Sequence, residues 1–152
     1  MRKVSVLTLS VAALASSLAL GMPSATATSP AGTLRHALDH APTCAALRKN
    51  FTYIDASKVQ RISGRTYITY RPARLVCGGE DDSHYVTRKG VHHVYVNAGA
   101  EVVIVHNNAS EHASTAKKLP GVFAAQDGAF PIFAVRHSSF GHLSAIVQRY
   151  HP

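Results

Sequence analysis

Ten histidines stand in this chain of 152 residues, all of them after residue 35. Four are spaced so that they could do chemistry. Residues 131–137 and 142–150 read as strands joined by Ser138-Ser139-Phe140-Gly141, so a four-residue hairpin loop pairs His137 with His142. Directly opposed residues have Cβ atoms about 4.5–5.5 Å apart, close enough for two imidazoles to share a metal. Residues 91–96 and 101–105 flank Asn97-Ala98-Gly99-Ala100, which is good turn chemistry. Pairing Val96 with Glu101 puts His93 and His106 on one face, on a diagonal, and His92 on the other. His93, His106, His137 and His142 are therefore the expected metal ligands, and Cu or Zn are the ions that imidazole suits. No HExxH and no compact His/Cys signature accompanies them, and histidines scattered along a sheet rim account for the same letters.

A second group is basic and aromatic. In residues 65–74, strand alternation sends Arg65, Tyr67, Thr69 and Arg71 to one face and Ile68 and Tyr70 to the other. With Arg74 following, Arg65, Arg71 and Arg74 are the expected anion-binding residues of a face that could stack and neutralise a polymer. An ordinary solvent face is the alternative. Glu80-Asp81-Asp82 are three adjacent carboxylates without the alternate spacing of a Ca²⁺ loop, so they read as a solvated turn.

Cys44 and Cys77 are the two cysteines. Their meaning depends on residues 1–27, which read as a secretory leader. Arg2 and Lys3 form a positive start, residues 4–20 are apolar with scattered Ser and Thr, and Ala25-Thr26-Ala27 fits a small-x-small cleavage site. In an exported chain an even count reads as one disulfide, Cys44 to Cys77. The competing reading is a thiol nucleophile. Cys44 at a helix start, followed late in the chain by the strand Gly141-His142-Leu143-Ser144-Ala145-Ile146-Val147, resembles the Cys-then-His layout of small papain-like cell-wall hydrolases. That resemblance implies Cys44 as nucleophile and His142 as base. It covers two short pieces, and little chain remains after His142 to supply the polar residue that orients the imidazole in that layout. A second resemblance runs through Arg61-Ile62-Ser63-Gly64-Arg65-Thr66, Gly90-Val91 and Asn97-Ala98, short and gapped stretches similar to the tyrosinase-cofactor, or copper-caddie, proteins. It implies a copper-delivery accessory. The chain departs from that family in lacking a twin-arginine leader, a Met in the mature part and a Tyr after the second hairpin strand, and in carrying a Cys pair and a further C-terminal hairpin.

The elements that must hold these residues follow from the periodicity. Leu34, Ala37, Leu38 and Ala41 form one helical stripe, with Thr33 as N-cap and Pro42 as stop. Thr43 caps a second short helix over residues 44–49. Residues 59–62, a Ser63-Gly64 turn and residues 66–71 form a hairpin, Pro72 interrupts it, and residues 74–77 add a short strand. The middle hairpin follows. Residues 111–118 then read as a helix with Ser110 as N-cap and Pro120-Gly121 as stop. The expected fold class is α+β: one domain over residues 28–152, mostly an antiparallel sheet of hairpins, with an N-terminal helical segment and one later helix.

Charge completes the reading. The whole chain carries +8; without Arg2 and Lys3, fourteen lysines and arginines face eight acids, which leaves +6. That balance favours anionic partners such as nucleic acid, teichoic acid or acidic polysaccharide. After the leader no stretch could cross a bilayer as a helix. The expected function is a secreted, non-catalytic binding or accessory protein, extracellular or associated with the cell wall, that takes a metal through histidines, a polyanion, or a partner protein. A secreted cell-wall or polymer hydrolase is the alternative.

Overall fold

The computed structural model describes residues 33–78, 83–106, 110–127, 129 and 131–149. The expected leader and Glu80-Asp81-Asp82 lie outside them. The described residues open on two capped helices, α1 (Leu34–Asp39) and α2 (Cys44–Asn50). Thr33 and Thr43 each accept a hydrogen bond from the amide three residues on, His36 and Ala46, which satisfies an orphan N–H of the first turn. Among the described residues seven strands and one more helix follow: β1 (Thr52–Ile62), β2 (Arg65–Val76), β3 (His84–Thr87), β4 (His92–Val105), β5 (Glu111–Ser114), α3 (Leu119–Ala125), β6 (Ile132–His137) and β7 (Leu143–Gln148).

The sheet closes on itself. β1 pairs antiparallel with β2 and with β6, β6 with β7, and β2 with β4, while β7 lies parallel to β4. The ring therefore runs β1-β2-β4-β7-β6 and back to β1, a five-stranded barrel. β3 continues beside the far end of β2, and β5 beside the far end of β4. The α+β reading and the predominance of antiparallel pairs stand. A simple succession of hairpins does not, because the barrel is closed by the parallel β4–β7 pair and by β2–β4, two contacts distant in sequence.

Two apolar layers explain why. Ile54, Ala56, Val59, Ile68, Val94, Val96, Phe133, Val135, Leu143 and Ile146 fill the barrel, with Leu119 of α3 packed against them. Residues of the other parity, including Tyr53, Leu75, Val103, Ala134, Ala145 and Val147, form a second layer under Leu34 and Leu38 of α1. Residues 132–135 are all buried. A strand covered on both faces shows a continuous apolar run rather than alternation.

Four expectations are corrected. Asn97-Ala98-Gly99-Ala100 is not a hairpin turn: β4 runs through it as one strand. The register against β7 shifts between Val96 and Glu101, where β4 leaves β2 and takes β5 as its neighbour. The irregularity turns a barrel corner. Residues 111–118 are not a helix. Glu111–Ser114 form β5, and the helix starts at Leu119, where Pro120 occupies the first turn and needs no N–H partner. Pro72 lies inside β2, between the stretch paired with β4, which ends at Tyr70, and the stretch paired with β3, which starts at Ala73. Its carbonyl accepts the Arg88 amide just past the last residues paired with β3, so the missing N–H faces the end of that short edge strand, where a proline is tolerated. Finally, the last hairpin pairs His137 with Leu143, not His142.

Candidate functional site

The outer wall of β2 and β4 gathers side chains that the chain order keeps apart. Register fixes the rows. Tyr67 lies opposite Gln60 on one side and Tyr95 on the other, and Thr69 lies opposite Lys58 and His93. Opposed residues share a face, so Lys58, Gln60, Arg65, Tyr67, Thr69, His93 and Tyr95 all project outward. Ile68 and Val96, of the other parity, are buried in the barrel.

The contacts knit this wall into one surface. The Tyr67 and Tyr95 ring centres are 5.7 Å apart, and the Arg65 guanidinium lies 5.7 Å from the Tyr95 centroid. His142, just before β7, meets Tyr95 edge to face at 4.9 Å. Thr69 Oγ1 lies 3.0 Å from His93 Nδ1 and holds that ring against the sheet. Two loops rim the wall. Ser63-Gly64 joins β1 to β2, where Gly64 takes φ +80° and its carbonyl accepts from Arg61 at 2.6 Å. Ser138–Gly141 joins β6 to β7 and carries Phe140, 84% exposed.

Charge is distributed unevenly. Arg71 shares the outward parity but pairs with Asp55 at 3.4 Å, and Asp55 also accepts from Thr87 Oγ1 at 2.8 Å. Around α1, Arg35 pairs with Glu111 at 2.9 Å and Asp39 at 3.6 Å, and Glu101 accepts from the Leu34 and Arg35 amides. Lys58, Arg61 and Arg65 have no ion pair among the described residues. The upper half of the wall is thus positive beside its aromatic rings.

The expected site residues are placed as follows. Arg65 and Arg71 share the wall; Arg74 has the opposite parity and lies exposed near Arg48 and Arg88, beside a small pocket of about 260 Å³. The four expected metal ligands separate. His93 is on the wall with Thr69, His142 touches Tyr95, and His137 borders a small pocket with Leu34 and Phe51. His106 packs edge to face on His112, with ring centres 4.5 Å apart. His137 pairs with Leu143, so His142 has the opposite parity and the anticipated His137–His142 chelate does not form. Among the described residues no three His, Cys, Asp or Glu side chains stand together as a metal set. Cys44 and Cys77 are joined in a disulfide, which removes Cys44 as a nucleophile beside His142.

Sequence reasoning missed Tyr95, Lys58 and His112. Tyr95 sits in a segment that reads as its own hairpin, and only the distant β2–β4 pairing brings it to Tyr67. His112 was hidden by the expected helix. Among the described residues no helix is long and apolar enough to cross a membrane. Comparison with family models, curated proteins and solved structures finds no match.

Proposed function

We propose that this chain is a secreted, non-catalytic binding protein that takes an anionic polymer on the outer wall of β2 and β4. The observation that carries the reading is the contiguous row Arg65, Tyr95, Tyr67 and His142 on an open sheet face, with Lys58 and Arg61 beside it. Flat rings offer stacking area to bases or sugar rings, and the cations neutralise phosphate, carboxylate or sulfate groups. The architecture supports the same reading by analogy. In the closed barrel β2 and β4 are the second and third strands, and the rimming loops are those between strands one and two and strands four and five. A five-stranded Greek-key barrel of the OB type binds oligonucleotides and oligosaccharides on that face and those loops. The net positive charge of the chain favours the acidic members of either class.

The test is titration of the protein with single-stranded oligothymidine and with an acidic polysaccharide over a range of salt. Tyr67→Ala and Tyr95→Ala should each weaken binding by about 1–3 kcal/mol. Arg65→Gln should lower the slope of log K against log salt by about one. Equal losses from Lys117→Gln with Lys118→Gln, which are not part of the row of rings and cations on β2 and β4, would show diffuse charge attraction and defeat the reading.

A further inference from the structure

We propose that His106 and His112 form a two-imidazole site for a divalent copper or zinc ion, set in the groove between the β4–β5 ribbon and α3. This site is separate from the polymer face and stands whether or not that reading holds.

The ribbon itself creates the pair. Ile104 lies opposite His112, and the His106 amide donates to the Ser110 carbonyl at 2.9 Å. His106 and His112 are therefore diagonal neighbours on one face, the parity of the barrel-filling Ile104, at the point where the ribbon runs past the barrel end. Their ring centres are 4.5 Å apart and the planes cross at 73°. An ion about 2.0–2.1 Å from each ligating nitrogen lies about 3.1 Å from each ring centre, so two neighbouring ligands place their rings about 4.5–5 Å apart. The pair already has that spacing. Ser110 Oγ lies 2.9 Å from His112 Nε2. With Nε2–H donating to that oxygen, His112 would carry its free lone pair on Nδ1 for the ion, and a hydrogen-bonded second ring nitrogen is the outer-shell arrangement of ligating histidines.

The groove supplies what two ligands leave open. It holds about 750 Å³, with Ile104, Val122 and Ala125 along its apolar lining and Lys118 at its border. Two nitrogens leave two or more coordination positions free, so water or a small anionic ligand attracted by Lys118 would complete the shell. Another histidine pair, His36 and His40 on α1, is a poorer match. Its rings are nearly stacked at 3.9 Å with planes 34° apart, and His40 Nδ1 is within 2.9 Å of the His36 carbonyl.

The experiment is titration of the full-length protein with Cu²⁺, read by calorimetry and by the nitrogen couplings in the electron paramagnetic resonance spectrum, with Zn²⁺ as competitor. The expected result is a site with two imidazole nitrogens that is lost in His106→Ala and in His112→Ala. It is kept in His36→Ala and His93→Ala, and weakened about tenfold in Ser110→Ala. Circular dichroism of each variant, with His112→Gln as the gentler change, separates loss of ligand from loss of fold. Undiminished binding in folded His106 and His112 variants, or loss of the same site in His36→Ala, overturns the proposal. Oligothymidine titration of the His112 variant should be unchanged, which keeps this result independent of the polymer face.

Discussion

Tyr53 and Tyr85 meet at 5.1 Å between ring centres beneath the helical layer, and the Tyr53 hydroxyl donates to the Leu47 carbonyl at 3.4 Å. Burial holds both phenols above their ordinary value of 10.0; the neighbouring Tyr85 adds to the rise at Tyr53, and Arg149 opposes it at both. The sign follows directly. A raised folded-state value means that the unfolded chain loses its protons first, so this contribution is complete below about pH 10 and fades as pH rises further. Denaturant midpoints should fall as pH rises above about 10, and Tyr53→Phe should flatten that fall. Gly64 gives a second prediction at this scale. Its φ of +80° closes the β1–β2 turn, and an added Cβ would meet little but the Arg61 side chain. Gly64→Ala should therefore cost about 1 kcal/mol from backbone conformation alone, measured by chemical unfolding. Both residues show what short-range reading can reach. Ser63-Gly64 is legible as a turn from its letters, whereas the Tyr53–Tyr85 contact depends on β3 folding back along β2.

At the scale of elements, α1 is held from a distance. The Glu101 carboxylate accepts from the Leu34 amide at 2.7 Å and the Arg35 amide at 3.1 Å, a capping interaction reaching across 67 residues from the corner of β4. Glu101→Ala should destabilise by about 1–2 kcal/mol and speed amide exchange in α1 first, since Thr33 alone would then cap it. A pair of side-chain amides, the buried Gln148 and the half-buried Gln126, ties the last strand in the same way. Gln148 Oε1 accepts from the Val105 amide at 2.9 Å, and Gln148 Nε2 donates to Gln126 Oε1 at 2.6 Å. Gln148→Leu should cost about 1–3 kcal/mol by leaving the Val105 N–H unpaired, read as a lowered unfolding midpoint. Elements with local causes were legible: the caps Thr33 and Thr43, the helical stripe of α1, and the β1–β2 hairpin. The helix expected over residues 111–118 failed for a non-local reason. Glu111 and His112 are in a strand because β4 offers a free edge opposite Val105 and Ile104, and nothing within eight residues carries that information.

For the whole molecule, the Cys44–Cys77 bond joins α2 to the end of β2 across 33 residues. Cys77→Ser should lower stability by about 3–4 kcal/mol in the chain-entropy account, measured against the wild type by urea unfolding without reductant. The bond was legible from an even count and a leader-like start; the barrel was not. Its closure depends on β7 entering between β6 and β4, parallel to a strand some forty residues earlier, and alternation within β7 is masked because both of its faces are covered. That placement has a consequence for how the chain is made. In an exported chain β1, β2 and β4 reach an oxidising folding compartment before the strand that locks them, so until β7 follows the half-built wall has two open edges and an uncovered interior. Oxidation of the cysteines needs only the first half of the chain. The bond can therefore form on an unclosed sheet, and a protein clipped within β7 would keep its disulfide while losing its barrel.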